Sequence, residues 1–188
     1  KITFEDGRSE PLFVPSGGQS GYKAKGAFDI TANAKIEIMA DFDVQKSIVV
    51  AGNSGKYLLK PVIRLIVTEL SGDINGTVVD VDEYTHPKSL VVYAYDDDNT
   101  YKEGDEKEDE DGIRFSNAIS SSDVNMSSGS FTLAFLEEGV YDLVITQYTA
   151  DLFDHVIGVE EDVVVPIGGE VQININTSCL LYTSDAAD

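Results

Sequence analysis

The sequence predicts an all-β protein made of two consecutive modules. Short runs that alternate between apolar and polar residues recur along the chain, and clusters of Gly, Pro, Asn and Asp separate them. The chain has 188 residues, of which 42% are hydrophobic, so it is long enough for one large or two small domains with modest cores. The stretch from Lys56 to Val79 shows where one module ends and the next begins.

This junction reads KYLLKPVIRLIVTELSGDINGTVV. Its first half is dense in β-branched and apolar residues, and Pro61 suits a strand start or an edge because proline has no N–H for a ladder. Ser71-Gly72-Asp73 breaks the run, and a new alternation starts at Ile74. We therefore expect a first module over residues 1–70 and a second over residues 71–178.

Strand patterns in the first module are short and bounded by turn signals. Glu5-Asp6-Gly7 and Gly52-Asn53-Ser54-Gly55 are typical of turns, since Gly and Asn tolerate positive φ. The expected strands are Lys1–Phe4, Leu12–Val14, Ala34–Val44, Ser47–Val50 and Tyr57–Val67.

The second module has evenly spaced strand patterns, which favours an antiparallel β-sandwich. A long insertion over residues 96–128 interrupts it. The expected strands are Ile74–Val81, Ser89–Tyr95, Gly129–Leu136, Val140–Thr146, Val156–Val165 and Glu170–Ile175.

Residues 10–67 resemble a known family. The segments VPSGGQSGYKAKGAFDI, ADFDVQKSIV and GKYLLKPVIRLI are similar to the C-terminal half of domain-of-unknown-function 4382, found in bacterial cell-envelope lipoproteins. The resemblance implies no established activity. It also implies that the N-terminal half of the domain is missing here, so that the first module is a truncated antiparallel β domain with an exposed edge.

The second module resembles an immunoglobulin/transthyretin-like β-sandwich of the carboxypeptidase-regulatory kind. The segments GDINGTVVD, LVVYAYD and GSFTLAFLEEGVYDLVI carry this resemblance. At its Gly-x-Tyr corner, we expect Gly139 to supply the turn. Tyr141 should place its ring in the core while its hydroxyl reaches backbone at the rim.

The charge balance restricts the class of partner. The chain has 34 acidic and 13 basic residues, a net charge of −21 and a pI of about 4.1. Such a field repels phosphate backbones and anionic lipid heads, so nucleic acid is an unsuitable partner. No apolar run is long enough to span a bilayer, so we expect no membrane insertion by this fragment. An unknown protein or glycan at the cell surface is the expected partner, and the expected location is extracytoplasmic, in the cell envelope or secreted.

The last ten residues, CLLYTSDAAD, match a translated adapter from transposase-based sequencing libraries. We therefore interpret residues 179–188 as an artefact of a metagenomic fragment and expect them to contribute no packing. Cys179, the only cysteine, lies in that segment, which leaves the rest of the chain without a thiol for disulfides or catalysis.

The first half of the insertion, DDDNTYKEGDEKEDEDG, contains ten acidic residues and two lysines. We interpret it mainly as a solvated acidic loop. The alternative is an irregular and weak Ca²⁺ site, because hard cations prefer carboxylate oxygens. Neither alignment with an EF-hand puts the required residue types in place. The candidate calcium ligands are Asp96, Asp98, Asp109 and Asp111.

No group of residues predicts catalysis. His86 and His155 lie in separate expected loops, and a zinc site would need further ligands. The Ser120–Asp123 cluster reads as a polar linker, without a Gly-x-Ser-x-Gly elbow. Asp41 and Asp43 point to one face of a strand, and we expect a strand end capped by Lys46.

The leading hypothesis is a non-enzymatic structural or interaction module of the bacterial cell envelope, without cofactors. The alternative is an extracellular carbohydrate-binding module, assisted by Ca²⁺ in the acidic loop. An enzyme is the third class, with no catalytic residues to support it.

Overall fold

A computed structural model describes residues 1–4, 7–15, 36–51, 54–110 and 112–180. Its first module, β1–β7, forms three small sheets. Strand β1 pairs with β2, β4 pairs antiparallel with β7, and β6 lies between β3 and β5. The strands are β1 (Ile2–Thr3), β2 (Ser9–Glu10), β3 (Leu12–Phe13), β4 (Ile38–Asp43), β5 (Ile48–Ala51), β6 (Lys56–Leu59) and β7 (Val62–Val67).

The second module, β8–β14, is a sandwich of two sheets. One sheet has four antiparallel strands in the order β10-β9-β12-β13. The other has the order β11-β8-β14, with β14 parallel to β8. The strands are β8 (Ser71–Val78), β9 (Lys88–Asp96), β10 (Ser120–Asp123), β11 (Ser130–Glu137), β12 (Gly139–Thr149), β13 (Leu152–Val165) and β14 (Glu170–Ile175).

Helix is scarce in the described ranges. The α-helix α1 (Val44–Ser47) has four residues, and three 3₁₀ turns cover Thr68–Leu70, Val81–Glu83 and Thr177–Cys179. The all-β prediction is confirmed, and each strand expected in the second module is present. Nowhere in the described ranges is there a helix with the length and apolarity needed to cross a membrane.

The two modules follow one another with a single short turn between them. Strand β7 ends at Val67, the 3₁₀ turn occupies Thr68–Leu70, and β8 starts at Ser71. Pro61 lies immediately before β7, where its missing N–H disrupts no ladder. No described sheet contains strands from both modules.

The inner core of the sandwich lies between its two sheets. Side chains that alternate along each strand meet there, including the fully buried Ile74, Leu90, Leu133 and Leu143. Gly76 is needed in β8 because a Cβ there would lie 2.0 Å from the ring of Phe131. Because glycine has no Cβ, the Phe131 ring can lie directly against the β8 backbone.

The acidic insertion packs on the four-stranded sheet through its aromatic and apolar side chains, whereas most of the described acidic residues between positions 96 and 112 are exposed, as expected for a solvated loop. Phe115 is fully buried and stacks on Tyr93 with a 4.3 Å distance between ring centroids. Tyr101 packs edge-on against Tyr95 at 5.8 Å, and Ala118 is also buried. Together with Val91, Val144 and Val156 these residues form a second core on the outer face of the four-stranded sheet. We call residues 97–119 the acidic cap.

Hydrogen bonds within the acidic cap hold its backbone in place. Glu106 accepts a hydrogen bond from the Gly104 N–H at 2.8 Å, and Asp109 accepts one from the Ile113 N–H at 2.9 Å. Arg114 donates to the Glu106 carbonyl at 2.6 Å and pairs with Glu108 at 2.9 Å. Several of the carboxylates therefore serve as turn acceptors while other acidic side chains remain exposed.

Tyr141 takes the position expected from its sequence motif. Its ring is 4% exposed in the inner core, and its hydroxyl donates to the Glu137 carbonyl at 3.0 Å. Gly139 does not supply the turn, because it is already the first residue of β12 and has no positive φ. The expected hairpin after β5 is present, with Gly55 at φ 61°.

Two further expectations are wrong. Ser120–Asp123 is an edge strand, β10, rather than a polar linker. Leu180 packs against the inner core, where a Cβ on Gly158 would lie 2.4 Å from the Leu180 Cβ, so the terminal segment does contribute packing at that residue. Residues 181–188 lie outside the described residues.

Candidate functional site

Polar side chains from the first module are buried against the second. Asp43 ends β4 and caps helix α1, accepting a hydrogen bond from the Lys46 N–H at 3.0 Å. The same Asp43 oxygen accepts a hydrogen bond from the Ser121 hydroxyl of β10 at 2.9 Å. One carboxylate therefore organises the helix and joins it to the sandwich.

Lys46 is the second polar side chain of the first module that is buried at this contact with the sandwich. Its ammonium lies 3.7 Å from Asp43 Oδ2 and donates to the Ala118 carbonyl at the end of the acidic cap. Lys46 is only 4% exposed, and burial lowers its pKa from the ordinary 10.5 although Asp43 opposes the shift. A buried charge is tolerated because a carboxylate and a carbonyl both face it.

Arg64 is the third polar side chain at this contact. It lies opposite Asp41 in the β4–β7 register, and its Nη2 is 2.5 Å from Asp41 Oδ2. The same nitrogen is 3.2 Å from the Ser120 hydroxyl and 3.3 Å from the Ala134 carbonyl. The guanidinium therefore connects β7 to strands of both sheets of the sandwich, β10 and β11. We call Asp41, Asp43, Lys46, Arg64 and Ser121 the seam network.

A groove lies beside the seam network, at the open end of the four-stranded sheet. Its volume is about 760 Å³, and cavities of about 230 and 200 Å³ flank it. Gln45 of α1 lines all three, and its amide donates a hydrogen bond to Asp123 at the end of β10. Gln45 is the first module's contribution to the lining of the 760 Å³ cavity, and the other lining residues belong to the sandwich. We call the largest cavity the intermodular groove.

The outer face of the four-stranded sheet is divided between the acidic cap and this groove. The cap covers Tyr93 and Tyr95, near the end of β9. Ser89 and Val91, near its start, line the groove together with Tyr148, which is the cross-strand partner of Ser89. Thr146, opposite Val91, is fully buried and donates to the Val91 carbonyl at 2.9 Å. The floor of the groove is thus a well-ordered sheet surface.

The candidate calcium ligands have different surroundings in the structure. Asp96 accepts hydrogen bonds from Asn99, and Asp109 accepts one from the Ile113 N–H, so both are turn acceptors. Asp98 is exposed, and Asp111 lies outside the described residues. Within the described ranges, no three Asp, Glu, His or Cys side chains converge as a metal site would require. The calcium site stays a prediction.

The residues considered for catalysis lie on different elements, although His86 and Asp123 line the same groove. His86 lines the intermodular groove, whereas His155 lies on β13, 3.5 Å from Asp154, rather than in the expected loop. The serines of β10 bond to the seam network and to neighbouring backbone. Asp43 is a strand end next to Lys46, as expected, and it also caps α1. These contacts give Asp43, His155 and the serines structural partners.

Sequence reasoning missed the seam network and the groove. Lys46 and Arg64 were visible as charges inside an apolar, β-rich stretch, which is one signal of a buried ionic contact. The run of apolar residues from Leu90 to Tyr95 was another signal, since strands with two buried faces read as continuous hydrophobic segments. Neither signal identifies the partner residues in the distant part of the chain.

Fold and site together define a two-part, β-rich protein whose halves are joined by a buried polar contact. The model of the family described as Domain of unknown function (DUF4382) matches residues 1–61, about a third of the chain. This match confirms the family resemblance over the first module. No curated protein and no solved structure matches the chain.

Proposed function

We propose that this chain is a non-enzymatic structural module of the bacterial cell envelope, located outside the cytoplasm. In this role the first module and the sandwich act as one rigid spacer that presents other parts of a longer lipoprotein. We also assign the sandwich to the immunoglobulin/transthyretin-like, carboxypeptidase-regulatory class, on its Gly-x-Phe-x-Leu strand and its tyrosine corner. The family match over residues 1–61 supports the family assignment of the first module, and the envelope location rests on the resemblance of that family to cell-envelope lipoproteins.

The seam network is the observation that carries this proposal. A flexible linker between modules leaves few contacts across it, whereas here two cations and two carboxylates of the first module are buried or half-buried against the sandwich. The ion pairs themselves lie within the first module, and the contacts that cross to the sandwich are hydrogen bonds of these charged groups with Ala118, Ser120, Ser121 and Ala134. Hydrogen bonds to charged groups contribute about 1.5–3 kcal/mol each. Mutual orientation of the modules is therefore fixed by interactions that are expensive to break.

The test is ¹⁵N relaxation of the full chain. We expect both modules to share one rotational correlation time in the wild type. Lys46→Met and Arg64→Met together should uncouple them, giving two shorter correlation times. The matched control is Lys88→Met and Lys56→Met, which also removes two cations but at exposed positions. Independent tumbling in the wild type would refute the rigid spacer.

The absence of catalysis is tested separately on the intact parent protein. Hydrolase and transferase screens should detect no turnover that depends on the seam network or the groove. Activity that is lost when Asp123, Asp151 or His86 is changed would establish an enzyme and overturn the proposal. The second candidate function, carbohydrate binding, is supported by one specific feature, the size and polarity of the intermodular groove.

A further inference from the structure

The intermodular groove has the dimensions and the location of a ligand site. Binding cavities for small molecules occupy about 300–1,000 Å³ and occur preferentially where domains meet. This groove has about 760 Å³, and its walls come from α1, from the start of β9, from the turn after β10 and from the β12–β13 hairpin. Four separate chain segments therefore converge on one space.

The polar groups in the walls are mixed in sign and in hydrogen-bonding type. They include amides, hydroxyls, two carboxylates and one ammonium: Gln45, Asn125, Ser89, Asp123, Asp151 and Lys88. Their formal charge is −1 with His86 neutral, and the whole chain has a charge of −21. An anionic ligand would be repelled by this field, while a neutral ligand with many hydroxyls would find both donors and acceptors.

The remaining surface of the groove is apolar. Met126 and Tyr148, a half-buried aromatic ring with a polar hydroxyl, supply its accessible part, because Leu90, Val91 and Val124 also line the groove but are buried. The Tyr148 hydroxyl is hydrogen-bonded to the Tyr93 hydroxyl at 2.8 Å, which holds the ring in place. Pyranose rings present C–H groups on one face and hydroxyls around the edge, and this combination of apolar floor and polar wall matches them.

We propose that the intermodular groove binds a neutral oligosaccharide, with Tyr148 on the floor and Gln45, Ser89 and Asn125 among the hydrogen-bonding groups of the wall. The site is separate from the acidic cap and needs no calcium ion. It adds a ligand to the spacer role and does not depend on that role, although the first module supplies one wall residue, Gln45.

An extended peptide is the less suitable occupant. Adding a strand to the start of β9 would need the backbone groups that point away from β12. Two of these are already used within the chain, because the Lys88 N–H donates to the Thr85 carbonyl and the Leu90 carbonyl accepts from the Val124 N–H. A peptide strand added beside residues 88–90 would therefore lack half of the backbone hydrogen bonds that Lys88 and Leu90 could otherwise offer it.

The test is an amide NMR titration of the full 188-residue chain with cello-, malto-, manno- and xylohexaose. At about 10 mM sugar, a site with a Kd near 1 mM is largely occupied. We expect at least one sugar to shift the amides of residues 88–91, 123–127 and 148, with or without EDTA. No shift at these positions with any of the four sugars overturns the proposal, as does a shift that appears only with calcium.

Variants locate the site and a peptide probe tests the competing occupant. Ser89→Trp fills the floor and should abolish the shifts, and Gln45→Ala should weaken binding about tenfold, as expected for one lost hydrogen bond. Gln172→Trp, at an exposed position of β14 in the other sheet, is the matched control and should bind normally. If Ser89→Trp does not fold, the affinity of Gln45→Ala for the sugar is the test instead. An unchanged affinity of that variant refutes the assignment. Groove shifts with a neutral threonine-valine peptide instead of the sugars would replace the oligosaccharide with a peptide.

Discussion

Phe115 is the residue whose removal best tests whether the acidic cap is a folded part of the sandwich. It is fully buried, stacks on Tyr93 at 4.3 Å and meets Phe153 edge-on at 5.6 Å. Its φ of 51° is unusual for a residue with a Cβ, so the surrounding contacts must hold it there. The perturbation is Phe115→Ala.

The expected cost follows from the burial of the ring. A buried aromatic side chain removes about 150–250 Å² from water, and Phe→Ala substitutions in cores destabilise by about 3–5 kcal/mol. Alanine also has a Cβ, so the positive φ stays costly and gives back no stability. The cap can detach locally, which limits the loss to the free energy that holds it on the sheet. We therefore expect a decrease of about 3 kcal/mol in the free energy of unfolding.

The assay is equilibrium urea unfolding, with Ser116→Ala as the control at the exposed neighbouring position. Surface substitutions usually stay within about 0.5 kcal/mol, so the control should not shift the transition. Native-state hydrogen exchange should show faster exchange of the Phe115 and Ala118 amides, whose hydrogen bonds lie inside the cap. If Phe115→Ala is as stable as Ser116→Ala, the cap is a solvated loop and its packing on the sheet has no energetic weight.

Three other predictions concern the chain end and the acidic residues. Burial raises the pKa of Asp80, but hydrogen bonds from Thr177 and Ser178 lower it by more. The net result is a pKa below the ordinary 3.8. The stability that this carboxylate adds is therefore present above that value and lost as the pH falls through the lower native pKa. Asp80→Asn should cost about 1 kcal/mol near neutral pH and flatten the acid limb of a stability–pH curve, whereas an unchanged acid limb would contradict this. Leu180→Ala should lower stability by about 1 kcal/mol in urea unfolding because Leu180 is partly buried on the inner core, and no change would restore the view that the segment contributes no packing. Millimolar CaCl₂ should stabilise the wild type by less than about 2.7 kcal/mol relative to NaCl of equal ionic strength. A larger shift establishes a calcium site if it disappears when the four candidate ligands are changed to Asn, at Asp96, Asp98, Asp109 and Asp111.

The strands of the sandwich were predictable because their determinants are local. Alternation of apolar residues placed β8, β11 and β12, and turn residues separated them. Tyr141 was predictable for the same reason, since its hydroxyl bonds to Glu137, only four residues away. The strand β10 was not predicted because Ser120–Asp123 has no apolar alternation. Pairing with β9, rather than its own sequence, makes this segment a strand.

The sequence by itself determined the all-β class, the acidic charge and the family resemblance over residues 1–61. These properties depend on composition and on neighbours within a few residues. The tertiary structure alone decided what the charged residues do. Whether a carboxylate is a turn acceptor, a buried ion-pair partner or an exposed charge depends on contacts such as Asp43 with Ser121, which are 78 residues apart. The groove likewise arises where α1 meets the end of β10, since the shape of a space between distant segments has no pattern in either segment alone.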